Sequence, residues 1–163
     1  MSERIEDLIR DYPKMKQELE FMGNQIRNFK GLDDIDMIES MYFTIPEGEK
    51  VQTSGTSDKT ARIAVTYREK MDQINREWYE HLLKEYDDLR DEILFFESAL
   101  KALSGDLPAI MTDMIINGET WDSLCSIYHV SRTMIAKYRR KAIRELDALY
   151  EEQEKKEVAY MLS

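Results

Sequence analysis

Apolar residues recur every three or four positions along most of this chain, a periodicity that predicts amphipathic helices. Near the N-terminus Ile5, Leu8, Ile9 and Tyr12 keep that spacing. Pro13 then either opens a second helix in its first turn or kinks a continuous one. Met15, Leu19, Met22, Ile26 and Phe29 alternate steps of four and three, the spacing of a coiled-coil seam. Gly31, Asp33 and Asp34 end this seam and can cap a short helix through Ile35, Ile38 and Met41. From Asp58 to Leu103 one apolar stripe runs through Ile63, Trp78 and Phe96, predicting a helix of 46 residues. Such a helix is about 70 Å long at 1.5 Å per residue. The seam at 15–29, folded back antiparallel, covers about half of that stripe. The remainder needs a cover from the C-terminal unit or from a second copy of the chain, and self-association through residues 58–103 is the expectation.

Between these helices the pattern changes. Tyr42, Phe43, Thr44 and Ile45 favour a strand, Pro46 to Glu49 a turn, and Val51, Gln52 and Thr53 a returning strand, so a small β-hairpin or a loop fits the connector 31–57. Ser54, Gly55, Thr56 and Ser57 have no Gly-Lys-Ser/Thr beside them, which excludes a Walker phosphate loop, and Ser57 reads better as a helix cap.

The C-terminal part predicts three helices at 107–116, 120–128 and 131 to about 148. Ser104, Gly105 and Asp106 stop the long helix, and Asp106 with Pro108 starts the next, whose apolar side is Ile110, Met111, Met114 and Ile115. Thr120 caps a helix carrying Trp121, Leu124, Cys125 and Tyr128, and His129 and Val130 interrupt it. Ser131 caps a second helix whose buried stripe is Ile135, Tyr138, Ala142 and Leu146. Trp121, Leu124, Val130, Ile135, Tyr138 and Leu146 therefore form the expected core of a helix-turn-helix. Residues 151–163 form a tail that continues the last helix through the pairs Glu151/Lys155 and Glu152/Lys156.

Charge sharpens this picture. The 163 residues carry a net charge of −10, yet the stretch from His129 to Arg144 has six cations and no acid, leaving −16 on the remainder. A cationic island in an acidic chain is not needed for solubility, and it points to a polyanionic partner. Its face comprises Arg132, Thr133, Ala136, Lys137, Arg140, Lys141 and Arg144, and Ser131 and Arg139 complete the set expected to contact DNA. Small side chains at the leading end and cations along the flanks suit a helix entering the major groove of double-stranded DNA. On this reading Arg132, Thr133, Ala136, Lys137 and Arg140 face bases, while Arg139, Lys141 and Arg144 neutralise phosphates.

The run from Asn117 to Leu146 resembles the helix-turn-helix of the sigma-70 region 4 type, and more narrowly the phage-encoded transcription regulators of the RinA and ArpU kind. Gly118, Thr120 and Trp121 match the opening of the first helix, Val130 and Ser131 the start of the recognition helix, and Leu146 its end. Residues Glu85 to Leu103 resemble the long charged helix upstream. Cys125 stands where Ala is usual and His129 where the turn usually has Gly, and His tolerates a positive φ better than most residues. The resemblance covers the C-terminal third and implies a regulator, an activator of phage genes in a bacterial cytoplasm, with RNA polymerase as a further partner.

Alternatives from other classes are a small terminase-like packaging subunit and a protein-interaction module. The expected organisation is all-α: a long antiparallel coiled-coil-like region at 1–103, a helix-turn-helix domain at 104–150 and the tail at 151–163. Glu77, His81 and Glu85 share a helix face but make an incomplete metal set, so neither metal nor cofactor is expected. Cys125 lies on the apolar side of its helix, where a buried thiol is expected, and no nucleophile-base constellation suggests an enzyme. Nothing approaches a membrane span.

Overall fold

A computed structural model describes residues 3–30 and 56–163, with side chains in the second stretch from Lys59 onward. Among these residues every regular element is helical. The elements are α1 (Glu3–Arg27), α2 (Thr56–Lys101), α3 (Leu107–Met111), α4 (Trp121–Tyr128) and α5 (Arg132–Leu162). The all-α class expected from the apolar periodicity is present. The short helix through Met41 and the β-hairpin or loop of the connector lie outside the described residues.

Several boundaries follow from local chemistry. Pro13 neither starts nor ends a helix but sits inside α1. Asp106 precedes α3 without a side-chain cap bond, and Pro108 in the first turn supplies the helical φ. Beyond Met111 the backbone widens into a π-helical turn over Thr112–Ile116. Gly105 at φ 58° and Gly118 at φ 67° take up the left-handed conformations that the two chain reversals demand. The tail does not separate from the last helix, since α5 runs unbroken to Leu162. Among the described residues, no helix is long and apolar enough to cross a membrane.

The chain divides into two compact units, one of Met1–Glu20 with Asp88–Ser163 and one of Phe21–Asp87. In the first, Ile5, Leu8 and Tyr12 of α1 join Ile93, Phe96 and Leu100 of α2 and Ala142, Ile143 and Leu146 of α5 in one buried cluster. Leu103, Leu107 and Met111 belong to the same cluster, so the grouping into 1–103 and 104–150 cuts through this core. The rings of Tyr12 and Phe96 lie 5.6 Å apart, and the Tyr12 hydroxyl donates to Glu97 at 2.5 Å. Burial and this carboxylate together push the Tyr12 hydroxyl pKa well above the usual tyrosine range.

The second unit pairs the end of α1 with the middle of α2, antiparallel. Phe29 stacks 5.2 Å from Tyr79, and at Gly23 a Cβ would lie 3.4 Å from the ring of Tyr86. Met71 and Leu82 are buried there, while Ile63, Ile74 and Trp78 face solvent.

Candidate functional site

The cationic segment is positioned by α4, the turn after it and the start of α5. Thr120 is extended, and its side-chain oxygen accepts from the Ser123 amide at 3.1 Å. The Ser123 hydroxyl in turn donates to Glu119 at 2.6 Å, so the first turn of α4 is closed by side chains on both sides. His129 ends α4 in the left-handed conformation, φ 56° and ψ 46°. The amides of His129 and Val130 both donate to the Cys125 carbonyl. Two residues on, the Ser131 hydroxyl accepts from the Met134 amide at 3.3 Å and starts α5. Thr120, His129 and Ser131 thus each act where the sequence places them.

Of the expected core set, Leu124, Ile135 and Leu146 are fully buried, and Trp121, Val130 and Tyr138 are half-buried. A further anchor lies underneath. Asp113, in the π-helical turn, accepts from the Tyr128 hydroxyl and from the Asn117 side chain at 2.8 Å. Burial first, then the hydrogen bond to Asp113, raises the Tyr128 pKa to about 12. The turn carries Asp113 beneath the last residue of α4, which fixes α4 before the chain reverses.

The expected cations fall into two groups. Arg132 is paired with Asp122 of α4, 2.7 Å away, and Arg139 is partly buried and paired with Glu6 of α1 at 3.4 Å. Both therefore tie α5 to its neighbours. Lys137, Arg140, Lys141 and Arg144 are exposed, and among the described residues none of them is in an ion pair. Together with exposed Thr133 they occupy about 100° of helix circumference at 3.6 residues per turn. Ala136 is half-buried at the edge of this face, and Ser131 is spent on its cap. The four cations line a shallow depression of about 600 Å³, with Glu6 and Asp147 as its acidic members.

This face is chemically unsaturated. A guanidinium offers five donors in a planar fork, which suits paired acceptors such as two phosphate oxygens or the O6 and N7 of guanine. Four cations without ion-pair partners among the described residues, held by a helix whose other side is buried, can be offered to a polyanion without breaking any ion pair of the fold.

Sequence reasoning missed the acidic supports. Glu145 accepts from the Ser104 amide at 2.9 Å and from its hydroxyl at 3.0 Å, joining α5 to the end of α2. Arg4 of α1 lies 5.0 Å above the Tyr150 ring and hydrogen-bonds Glu154. No spacing rule could have found Glu6 for Arg139 or Arg4 for Glu154, because the partners come from opposite ends of the chain. Elsewhere, His81 lies 3.0 Å from Glu85, its neighbour one turn on, and the described residues hold no cluster of three or more potential metal ligands.

No family model, curated protein or solved structure matches this chain.

Proposed function

We propose that the protein is a sequence-specific DNA-binding transcription regulator, in which α4 and α5 form a helix-turn-helix and α5 enters the major groove. The observation that carries this reading is the set Lys137, Arg140, Lys141 and Arg144: exposed, without ion-pair partners among the described residues and confined to one face of a helix that follows a capped turn. A solvated face in an acidic chain ordinarily mixes signs, as α1 does with Arg10 between Asp7 and Asp11. From Arg132 to Arg144 the helix carries no acid at all. Lys137 and Arg140 are placed for base edges, Lys141 and Arg144 for phosphates, while Arg132 and Arg139 orient the helix through Asp122 and Glu6. The protein acts by binding and not by catalysis. Its resemblance to phage regulators makes activation of phage genes, with RNA polymerase as a second partner, the specific form of the proposal. A single module of this size reads a short site, so self-association through α2, in a coiled-coil-like pairing, supplies a second half-site.

The test is binding of the purified chain to pooled fragments of its source genome at two salt concentrations. One discrete fragment should be enriched and should lose its preference with Arg140→Ala. Arg144→Ala should weaken binding across fragments and flatten log affinity against log salt by about 1. Salt-sensitive binding with no preferred fragment would replace the regulator by a packaging protein of the small terminase kind. Absence of binding at either salt would end the DNA reading.

A further inference from the structure

The second unit carries an apolar face that its own described residues leave open. On α2, Ile63, Ile74 and Trp78 are 50%, 43% and 52% exposed. At 3.6 residues per turn they fall within about 60° of one another, with half-buried Tyr67 between them. Scattered apolar residues on a surface need no explanation, but a stripe at helical spacing does. Charge is distributed unevenly along the same helix. Residues 59–76 carry five cations, Lys59, Arg62, Arg68, Lys70 and Arg76, against two acids, Glu69 and Asp72, a net +3. Residues 77–87 carry four acids, Glu77, Glu80, Glu85 and Asp87, against Lys84, a net −3. A parallel neighbour of the same sequence would set each half against its like. An antiparallel one opposes the two signs.

We propose that the open face of α2 is covered by α2 of a second copy of this chain, running antiparallel. The register that satisfies both the stripe and the charge gradient places Ile63 opposite Trp78 and Tyr67 opposite Ile74, with the two-fold axis between Lys70 and Met71. Closed two-fold symmetry repeats every contact, so four apolar residues per copy generate four facing pairs. In this register Arg62 stands level with Tyr79 of the second copy, between its Glu77 and Glu80, and these three residues lie on the same flank of the stripe. Apolar burial supplies the attraction, while the charge gradient sets the direction and disfavours the parallel pair. The inference rests on self-association through α2 and is independent of DNA binding.

The test uses the full chain without DNA. Light scattering should give twice the chain mass of 19.3 kDa. Trp78→Glu should halve the measured mass while leaving the far-ultraviolet helical signal unchanged. Orientation is then read by oxidative crosslinking in a Cys125→Ser background. Tyr67→Cys alone and Ile74→Cys alone should give no crosslink, and the mixture of the two, which face each other in this register, should give a covalent dimer. A single-chain mass for the unsubstituted protein would overturn self-association together with this arrangement. A dimer in which each single variant crosslinks to itself would leave self-association standing and overturn the antiparallel pairing. A dimer that survives Trp78→Glu would show that this face is not the interface, and a mass above two copies would exclude the two-fold pair.

Discussion

In the unit formed by Met1–Glu20 and Asp88–Ser163, the buried cluster draws on residues as distant in sequence as Ile5, Phe96 and Leu146. In the unit of Phe21–Asp87, Met71 and Leu82 are the buried apolar residues among those described, and the stripe beside them is open. Both units are built from the same two amphipathic helices, α1 and α2, with similar periodicity. What separates them is a third partner: α5 lies along the core of the first unit, and no described element does so in the second. Periodicity specifies that a face will be covered; it leaves open what covers it.

The largest expected effect breaks this comparison at its core. Phe96, 1% exposed, is held among three helices, and Phe96→Ala removes a ring the surroundings can only partly replace. A loss of about 3–5 kcal/mol in urea unfolding is expected. Val65, 56% exposed on the far side of α2, provides the contrast, and Val65→Ala should stay within about 0.5 kcal/mol. Similar losses for the two would mean that the first unit does not own the stability of the chain.

The legible part of the molecule was local. Thr120 and Ser131 announced their helices because a hydroxyl before an apolar run satisfies amides that no helix can satisfy itself. Ile135, Ala142 and Leu146 announced the buried side of α5 by spacing alone. His129 was readable as a departure from Gly in the turn, and it adopts φ 56°. Illegible features were those whose partners meet only after folding. Glu6 with Arg139, Glu145 with Ser104 and Asp113 with Tyr128 connect separate elements, and each acid looked like ordinary solvated charge in its own helix. The consequence for the candidate site is specific. The sequence offers six cations for DNA, whereas two of them, Arg132 and Arg139, are occupied internally. Leu103 and Leu107 share one buried cluster with Ile5, Leu8 and Tyr12, a grouping that no local pattern could supply.

A smaller effect sharpens the comparison within the first unit. Ser131→Ala leaves the Met134 amide without its acceptor at an exposed helix start and should cost about 1 kcal/mol. Because the first turn of α5 also carries the leading end of the cationic face, the same variant should weaken DNA binding more than its stability loss alone accounts for. Ser126→Ala, on the exposed side of α4 and outside the capping bonds, serves as the control and should leave both readings unchanged. If the two serines behave alike, the cap is not what aligns α5.

The smallest expected effect concerns alkaline pH and the tyrosines of the first unit. In the first unit, burial and the Asp113 carboxylate raise Tyr128 to about 12, and burial with Glu92 nearby, opposed by Arg4, raises Tyr150 to about 12. A raised pKa in the fold means that the neutral hydroxyl is favoured there. Its stabilising contribution is complete below the ordinary tyrosine value near 10 and is lost as pH climbs toward about 12. Unfolding stability should therefore fall across that interval. Tyr128→Phe removes one ionising group, so its stability curve should fall less steeply there, although the variant is less stable at neutral pH through loss of the bond to Asp113. Denaturant melts at pH 9, 10 and 11 on both chains would check the sign. Equal slopes would show that the hydroxyl of Tyr128 ionises as freely in the fold as in the open chain, and would remove Asp113 as the anchor of α4.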